Sequence, residues 1–289
     1  GMAGNGFSDA AIKKIFKVKN RPFYDPLILH TDSVGKIEQW GMKIPEKLLP
    51  LAHKFWPGPL TILLDKSDYV SDLVTSGLPR VAFRIPNHQL TRELLASLDF
   101  PLAAPSANPF GYVSPTTPQH VFEHFENKIG QVLDGGACTV GIESTIVGIE
   151  DNQVVVYRLG GLSIESIEAE VGEVMVKTSS SQPAAPGMLS RHYAPNKQIV
   201  SVETQKELNA LDPMGSAYIV FNLEAKAKPE RVVQLSGSGS HEEAASKFYD
   251  ALRKWDGEDA VRRLIIERMP DFGLGRAIND RLLRAASKG

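Results

Sequence analysis

The chain has 289 residues, 42% hydrophobic and 23% charged, a composition that fits a folded globular protein and a length that favours two domains. Its 32 Lys and Arg stand against 34 Asp and Glu, so a net charge of -2 provides no global positive field for nucleic acid. The single Cys138 excludes an intramolecular disulfide, no apolar run approaches the roughly 20 residues of a membrane span, and no signal peptide is visible; the expectation is a cytoplasmic protein.

Gly1 before Met2 has the form of a tag-cleavage scar. Ser8 is placed to cap a helix with Ile12, Ile15 and Phe16 inward and Lys13, Lys14 and Lys17 outward. Pro22 stops it, leaving Lys19 and Arg21 at or just past its end. Leu27 to Leu29 reads as a buried strand. Pro45 opens a helix through Leu48, Leu49 and Ala52, which Pro57-Gly58-Pro59 ends. Leu60 to Leu64 and Val81 to Ile85 are strands, and Leu90, Leu94, Leu95 and Leu98 mark an amphipathic helix between them and a short strand at Leu102 to Ala104. Thr117-Pro118 caps a helix with Val121, Phe122 and Phe125 inward. Ile142 to Ile149 and Val154 to Leu159 form a hairpin turning at Asp151-Asn152.

From Lys177 to Pro186 the composition shifts to Ser, Gln, Pro and Ala, the mark of a linker. Strands then follow at Ile199 to Val202, Tyr218 to Phe221 and Val232 to Leu235. A helix at Glu242 to Trp255, a strand at Leu264 to Glu267 and a helix at Arg276 to Ala286 complete the order. The fold class is α/β, a twisted, mixed open sheet followed by a smaller Rossmann-like α/β domain. The divisions are 1-176, a linker over 177-197, and 198-289.

Two clusters carry chemistry. Lys19 and Arg21 offer a point charge and a bidentate fork to one polyanion, and Ser106 and Asn108 add neutral polar groups between Pro105 and Pro109. Together they describe a phosphate site with no Walker-type loop. Because both cations lie at a helix end, truncating either is expected to remove charge without core volume. Taken singly, the cations could merely complement a helix dipole and the Ser and Asn could be turn formers. His30 after an apolar strand reads, alone, as a buried structural histidine, whereas Arg84 in a buried strand needs a partner. His120 and His124 lack a third ligand, so a resident metal is not expected. Ser236 to Ser240 reads as a flexible connection, and Gly273-Leu274-Gly275 as either an anion site or a tight packing turn. Cys138 has no adjacent base.

An ordered set of segments resembles the threonylcarbamoyl-AMP synthases, in the long form with a YrdC-like catalytic domain and a C-terminal domain. The segments are KNRPFYDPLILH (19–30), WPGPLTI (56–62), VAFRIP (81–86), PLAAPSAN (101–108), GIESTIV (141–147) and YRLGG around Arg158, then PGMLSRHYAP (186–195) and GLGRAINDRLLRAA (273–286). The resemblance implies that L-threonine, bicarbonate and ATP give threonylcarbamoyl-adenylate and pyrophosphate, with Mg2+ accompanying ATP. Partner proteins then transfer the threonylcarbamoyl group to an adenosine beside the anticodon of certain tRNAs, and a weak tRNA contact is a further expectation. Carried over position by position, Lys19, Arg21, Ser106 and Asn108 would serve catalysis. His30, Arg84, Ala104 and Ser144 would line the threonine side. Asp25, Arg80, Ser114 and Arg158 match nucleotide-side positions, though Asp25 replaces the usual Asn and Arg80 stands where Thr is frequent. Arg191, His192 and Tyr193 would form a lid that folds back over the site. The rival from another class is a non-catalytic RNA-binding module, against which the charge of -2 speaks.

Relatives begin with a strand and a loop like PTETVYGL, whose Thr and Tyr help form the threonine pocket. Met2 falls where the loop's last Leu would be. The expectation is that a strand and part of the pocket lie outside this sequence, so that the chain is weak or inactive and restoring roughly 20–30 upstream residues raises melting temperature and activity together.

Overall fold

The structure is a computed structural model and describes residues 1–178, 185–186, 188 and 193–287. Its first sheet contains β1 (Gly4–Asn5), β2 (Ile28–His30), β3 (Leu60–Asp65), β4 (Arg80–Arg84), β5 (Leu102–Ala103), β6 (Thr145–Glu150), β7 (Gln153–Arg158) and β8 (Met175–Val176). They run in the order β1-β5-β2-β4-β3-β6-β7-β8. The pairs β2–β4, β3–β6 and β7–β8 are parallel and the others antiparallel, so the sheet is mixed, as its irregular strand order implies.

Side-chain alternation gives this sheet two faces. Leu29, Ile62, Leu64, Val81, Phe83, Val147 and Val156 point into the main core. That core is covered by α1 (Asp9–Lys19), α3 (Leu49–Phe55) and α7 (Ile164–Val171), with α2 (Val34–Gln39) and α4 (Asp72–Thr75) at its margin. The opposite face carries Ile28, Leu63, Ala82, Ile146, Val155 and Tyr157, on which Ala185 and Met188 of the connecting segment pack. Ala185 and Met188 therefore lie on the same face from which His30, Thr61 and Arg84 alternate outward from the core.

Two peripheral helices bury less than their apolar spacing suggests. In α5 (Gln89–Ala96) Leu95 is buried, but Leu90 and Leu94 are exposed; in α6 (Pro118–Phe125) Phe125 is buried and Phe122 exposed. Each is only eight residues long and presents one narrow strip inward. The strand expected from Ile142 begins at Thr145, which leaves residues 142–144 as a loop. Short helices α2, α4 and α7 were not legible, although Ser33, Ser71 and Ser163 each cap one.

The second sheet is wholly parallel, in the order β11-β10-β12-β9, from β9 (Gln198–Val202), β10 (Ser216–Val220), β11 (Val232–Gln234) and β12 (Arg263–Glu267). α8 (Gln205–Ala210) lies on one face, through Leu208; α9 (His241–Arg253) and α10 (Gly275–Ala286) lie on the other. This layered arrangement is the Rossmann-like order read from the sequence, with α8 as an addition. At the carboxyl end of β12, the Glu267 carboxylate accepts hydrogen bonds from the backbone N–H of Phe221, Asn222 and Leu223 at 2.7–3.1 Å. The core under α9 and α10 also takes in Val113 and Ile142 from the first half of the chain and Tyr193 from the connecting segment.

Candidate functional site

The site is built on the second face of the large sheet. Parallel pairing of β2 with β4 sets His30 directly beside Arg84. The Arg84 Nε donates to the Gly58 carbonyl at 2.9 Å, which orients the guanidinium and leaves its terminal nitrogens without a hydrogen-bond partner among the described residues. Burial, reinforced by the nearby Arg158, lowers Arg84 to about 10. Burial, then Arg84, pushes His30 down to about 3, so its imidazole is neutral. Its Nδ1 is buried and has no hydrogen-bond partner among the described residues. A neutral ring beside an oriented fork suits recognition of a carboxylate and a neighbouring hydroxyl or amine.

Beside this pair, the 142–144 loop brings Ser144 against Thr61, with the two hydroxyl oxygens 2.7 Å apart. Arg158, the last residue of β7, fixes Ser144: Nε and Nη2 donate to its carbonyl at 3.0 and 2.8 Å, and Nη2 also to its Oγ at 3.0 Å. Arg158 Nη1 reaches the Pro186 carbonyl at 3.4 Å, which ties the connecting segment to the site. Burial lowers the Arg158 pKa, while Tyr193 and Glu143 oppose that shift.

Lys19 and Arg21 correct the expectation that truncating them would cost no core volume. Lys19 is 1% exposed; its Nζ donates to the Ser106 carbonyl at 2.6 Å and to the Asn108 carbonyl, so α1 is clamped to the 106–108 loop. Burial first, then Arg21, lowers Lys19 to about 7, against an opposing pull from Asp25. Arg21 is 8% exposed and spends its fork on Asp25 Oδ2 at 2.9 Å and on the Asp25 and Pro26 carbonyls. Truncating either residue therefore removes core volume as well as charge. Asp25, buried, neutralises Arg21 and needs no role at a phosphate. Asn108 is anchored through Nδ2 to the Pro109 and Tyr112 carbonyls, and its Oδ1 is a buried acceptor with no partner among the described residues. Ser106 is half-buried, with Ala104 just before it.

Ser114 is buried, and its hydroxyl donates to Glu143 Oε1 at 2.7 Å. Glu143 was not picked out by sequence reasoning, although a carboxylate between Ile142 and Ser144 in an apolar run was a signal. Burial alone would raise its pKa, but Arg281, Arg158 and the Ser114 hydroxyl outweigh that and hold it at about 2. Thr61, Tyr249, Arg253 and Arg281 were likewise missed, the last three because they come from the second sheet's helices.

Arg80 is not brought to this site. It starts β4, four residues and about 13 Å from Arg84, and lies over the Tyr157 ring with its Nη1 on the Ile149 carbonyl and the Tyr157 hydroxyl. Arg191 and His192 fall outside the described residues. Tyr193 is buried with φ of 65° and stacks on Tyr249 at 5.6 Å and under the Arg281 guanidinium at 4.9 Å. His120 and His124 face α9, near Asp250 and Arg253. Ser236 binds Glu243 and Ser240 caps α9, so the SGSGS stretch is an ordered helix entry. At Gly275 an added Cβ would meet the Pro270 carbonyl at 2.1 Å, which decides for a packing turn. No group of three or more His, Cys, Asp or Glu able to hold a metal occurs among the described residues.

The chain is similar to known proteins along nearly its whole length. Residues 1–160 match a family model described as "Telomere recombination", and residues 162–287 match one described as "Threonylcarbamoyl-AMP synthase, C-terminal domain". Residues 164–176, within the second match, nevertheless form α7 and β8 on the first sheet. A threonylcarbamoyl-AMP synthase of Pyrococcus abyssi is 37% identical, over 99% of this chain and 87% of that protein. One of Bacillus subtilis is 37% identical, over 99% and 86%. The crystal structure of P. abyssi Sua5 complexed with L-threonine superposes with a TM-score of 0.90 at 35% identity, covering 98% of this chain and 86% of that one.

Proposed function

This chain belongs to the threonylcarbamoyl-AMP synthase family, and from that membership we propose that it joins L-threonine, bicarbonate and ATP into threonylcarbamoyl-adenylate and pyrophosphate, for modification of tRNA next to the anticodon. The observations that support the reading are His30 paired beside Arg84, Ser144 held by Arg158 and Thr61, and Lys19 anchored on the 106–108 loop.

Arg84 takes the threonine carboxylate, and the neutral His30 ring with the Ser144 hydroxyl orients its amine and side-chain oxygen. The amine, having captured CO2 as a carbamate, presents an oxygen to the ATP α-phosphorus; that P–O bond forms as the bond to pyrophosphate breaks. Lys19 sits beside the 106–108 loop, ready to regain a proton when polyphosphate approaches and so to stabilise the developing charge. Ser106 and the Asn108 Oδ1 complete the polar lining, with Ser114 and Arg158 on the nucleotide side. Arg21 and Asp25 act as a buried brace beneath Lys19.

Mg2+ fits this site as an ion carried by the triphosphate, coordinated mainly by phosphate and water oxygens, since the described residues offer it no carboxylate cluster. The connecting segment over 177–197, between a catalytic unit over 1-176 and a second unit over 198-289, serves as the lid. A cytoplasmic location and hand-over of the product to tRNA-directed transfer proteins complete the reading; no helix among the described residues is long and apolar enough to cross a membrane.

A pyrophosphate-release assay that omits threonine, bicarbonate or ATP in turn tests it. All three are expected to be required. Release without threonine, or tight tRNA binding with no turnover, would overturn it and favour an RNA-binding role.

A further inference from the structure

Glu143 stands where the two halves of the molecule meet. Its Oε1 accepts from Ser114 Oγ at 2.7 Å; its Oε2 accepts from Tyr249 Oη of α9 at 2.8 Å and from Arg281 Nε of α10 at 2.9 Å. Arg281 has no solvent exposure, and its Nη2 donates to the Leu159 carbonyl at 2.6 Å, one residue past Arg158. Asp280 braces Arg281 and holds Arg284 at 2.9 Å. A third residue of the second unit, Arg253, points Nε at the Ser114 carbonyl at 3.3 Å and Nη2 at the Val113 carbonyl. Ser114 is thus gripped at both its hydroxyl and its carbonyl by groups that trace back to α9 and α10.

We propose that Tyr249 and Arg281 are positioning residues for the nucleotide pocket, fixing Ser114 through Glu143, with Arg281 also holding the chain beside Arg158 through the Leu159 carbonyl. An apolar contact would join the two units at least as well, because charges taken out of water recover little net stability when paired. The ionic node does something an apolar contact does not: it sets the rotation of one carboxylate, and with it the direction of the Ser114 hydroxyl. Tyr193 lies against both Arg281 and Tyr249, so the same node also seats the end of the connecting segment. The second unit then has a definite task, that of a template for the nucleotide side of the first.

The inference rests on the reading of Ser114 and Arg158 as nucleotide-side residues. Its test compares Ser114→Ala, Tyr249→Phe and Arg281→Lys in the full chain, with ATP and L-threonine affinities by calorimetry and melting temperature on each. Every variant is expected to weaken ATP binding by roughly tenfold or more, the worth of a hydrogen bond to a charged group, with threonine binding changed less than twofold. The Tyr249→Phe and Ser114→Ala effects are expected to be non-additive when combined. If Ser114→Ala weakens ATP but folded Tyr249→Phe and Arg281→Lys do not, the positioning role is overturned and Ser114 keeps its place. If Ser114→Ala leaves ATP binding within twofold, that reading of Ser114 fails and takes the inference with it. Loss of both ligands in step with melting temperature would mean a merely structural tie and would also overturn it. Should Arg281→Lys not fold, Tyr249→Phe decides, since it removes one oxygen and no packing volume.

Discussion

Lys19 holds its proton weakly, and that makes it responsive. Buried beside Arg21, it has a pKa lowered to about 7 from an unfolded value of 10.5. Between those values the unfolded chain binds more protons than the folded one, so this residue makes stability rise with pH from about 7 towards 10.5. A polyphosphate bound nearby would restore the proton. At pH 8, ATP binding is therefore expected to take up about one proton, read as a dependence of binding heat on buffer ionisation enthalpy, and Lys19→Met should abolish the uptake. Lys19→Ala should in addition lower the melting temperature, because the side chain is core. Arg84 supports a second expectation: Arg84→Lys, keeping charge but losing the fork, should weaken threonine about tenfold in calorimetry with little effect on ATP. The sequence located both residues but not the burial of Lys19. A cation in a last helical turn ordinarily faces water, and the carbonyls that receive this one lie 87 and 89 residues away.

At the scale of elements, the 142–144 loop matters more than the strand it precedes. It carries Ser144 to Thr61 and Arg158, and Glu143 to Ser114, within two residues. Glu143, held at about 2 against an ordinary 4.5, contributes stability that is present above pH 4.5 and lost as pH falls towards 2. Glu143→Gln is expected to be less stable than the parent at pH 7, by on the order of 3 kcal/mol, because Arg281 loses its charged partner. It should also show a shallower loss of stability between pH 4.5 and 2, which urea titrations across that window would register. The strands other than β1 and β8, the hairpin at Asp151-Asn152 and the α1, α9 and α10 helices were legible because apolar period and turn residues agreed. The helices at 34–39, 72–75 and 205–210 were not, since four to six residues hold too little of a 3.6-residue period to rise above a loop, and that at 164–171 was missed although Ile164, Ile167 and Val171 keep the helical spacing.

At the scale of the whole molecule, Gly141 marks how closely the two units approach. A Cβ there would sit 2.3 Å from the Ala245 carbonyl oxygen and 2.4 Å from Ser246 Cα, both in α9, at a φ of +80° that disfavours any side chain. Gly141→Ala is expected to lower the melting temperature by roughly 5 °C or more and to speed hydrogen exchange in 241–253. The interface itself was beyond sequence reasoning. Its ties, Tyr249 and Arg281 to Glu143, span 106 and 138 residues, and only the fold brings them within a hydrogen bond.

The second sheet resembles nucleotide-binding layers in its parallel strands, and the carboxyl ends of its central strands are where such folds usually receive an anion. Here that seat has a permanent tenant. The Glu267 carboxylate already occupies the amide donors of residues 221–223, so an incoming phosphate would meet a negative charge instead of a ring of waiting N–H groups. One side chain thus fills the place at which a parallel sheet of this kind would receive an anion. Titrated with ATP, the chain should show a single class of sites, and Glu267→Gln, freeing the amides from a full charge, is the change that would let a second one emerge.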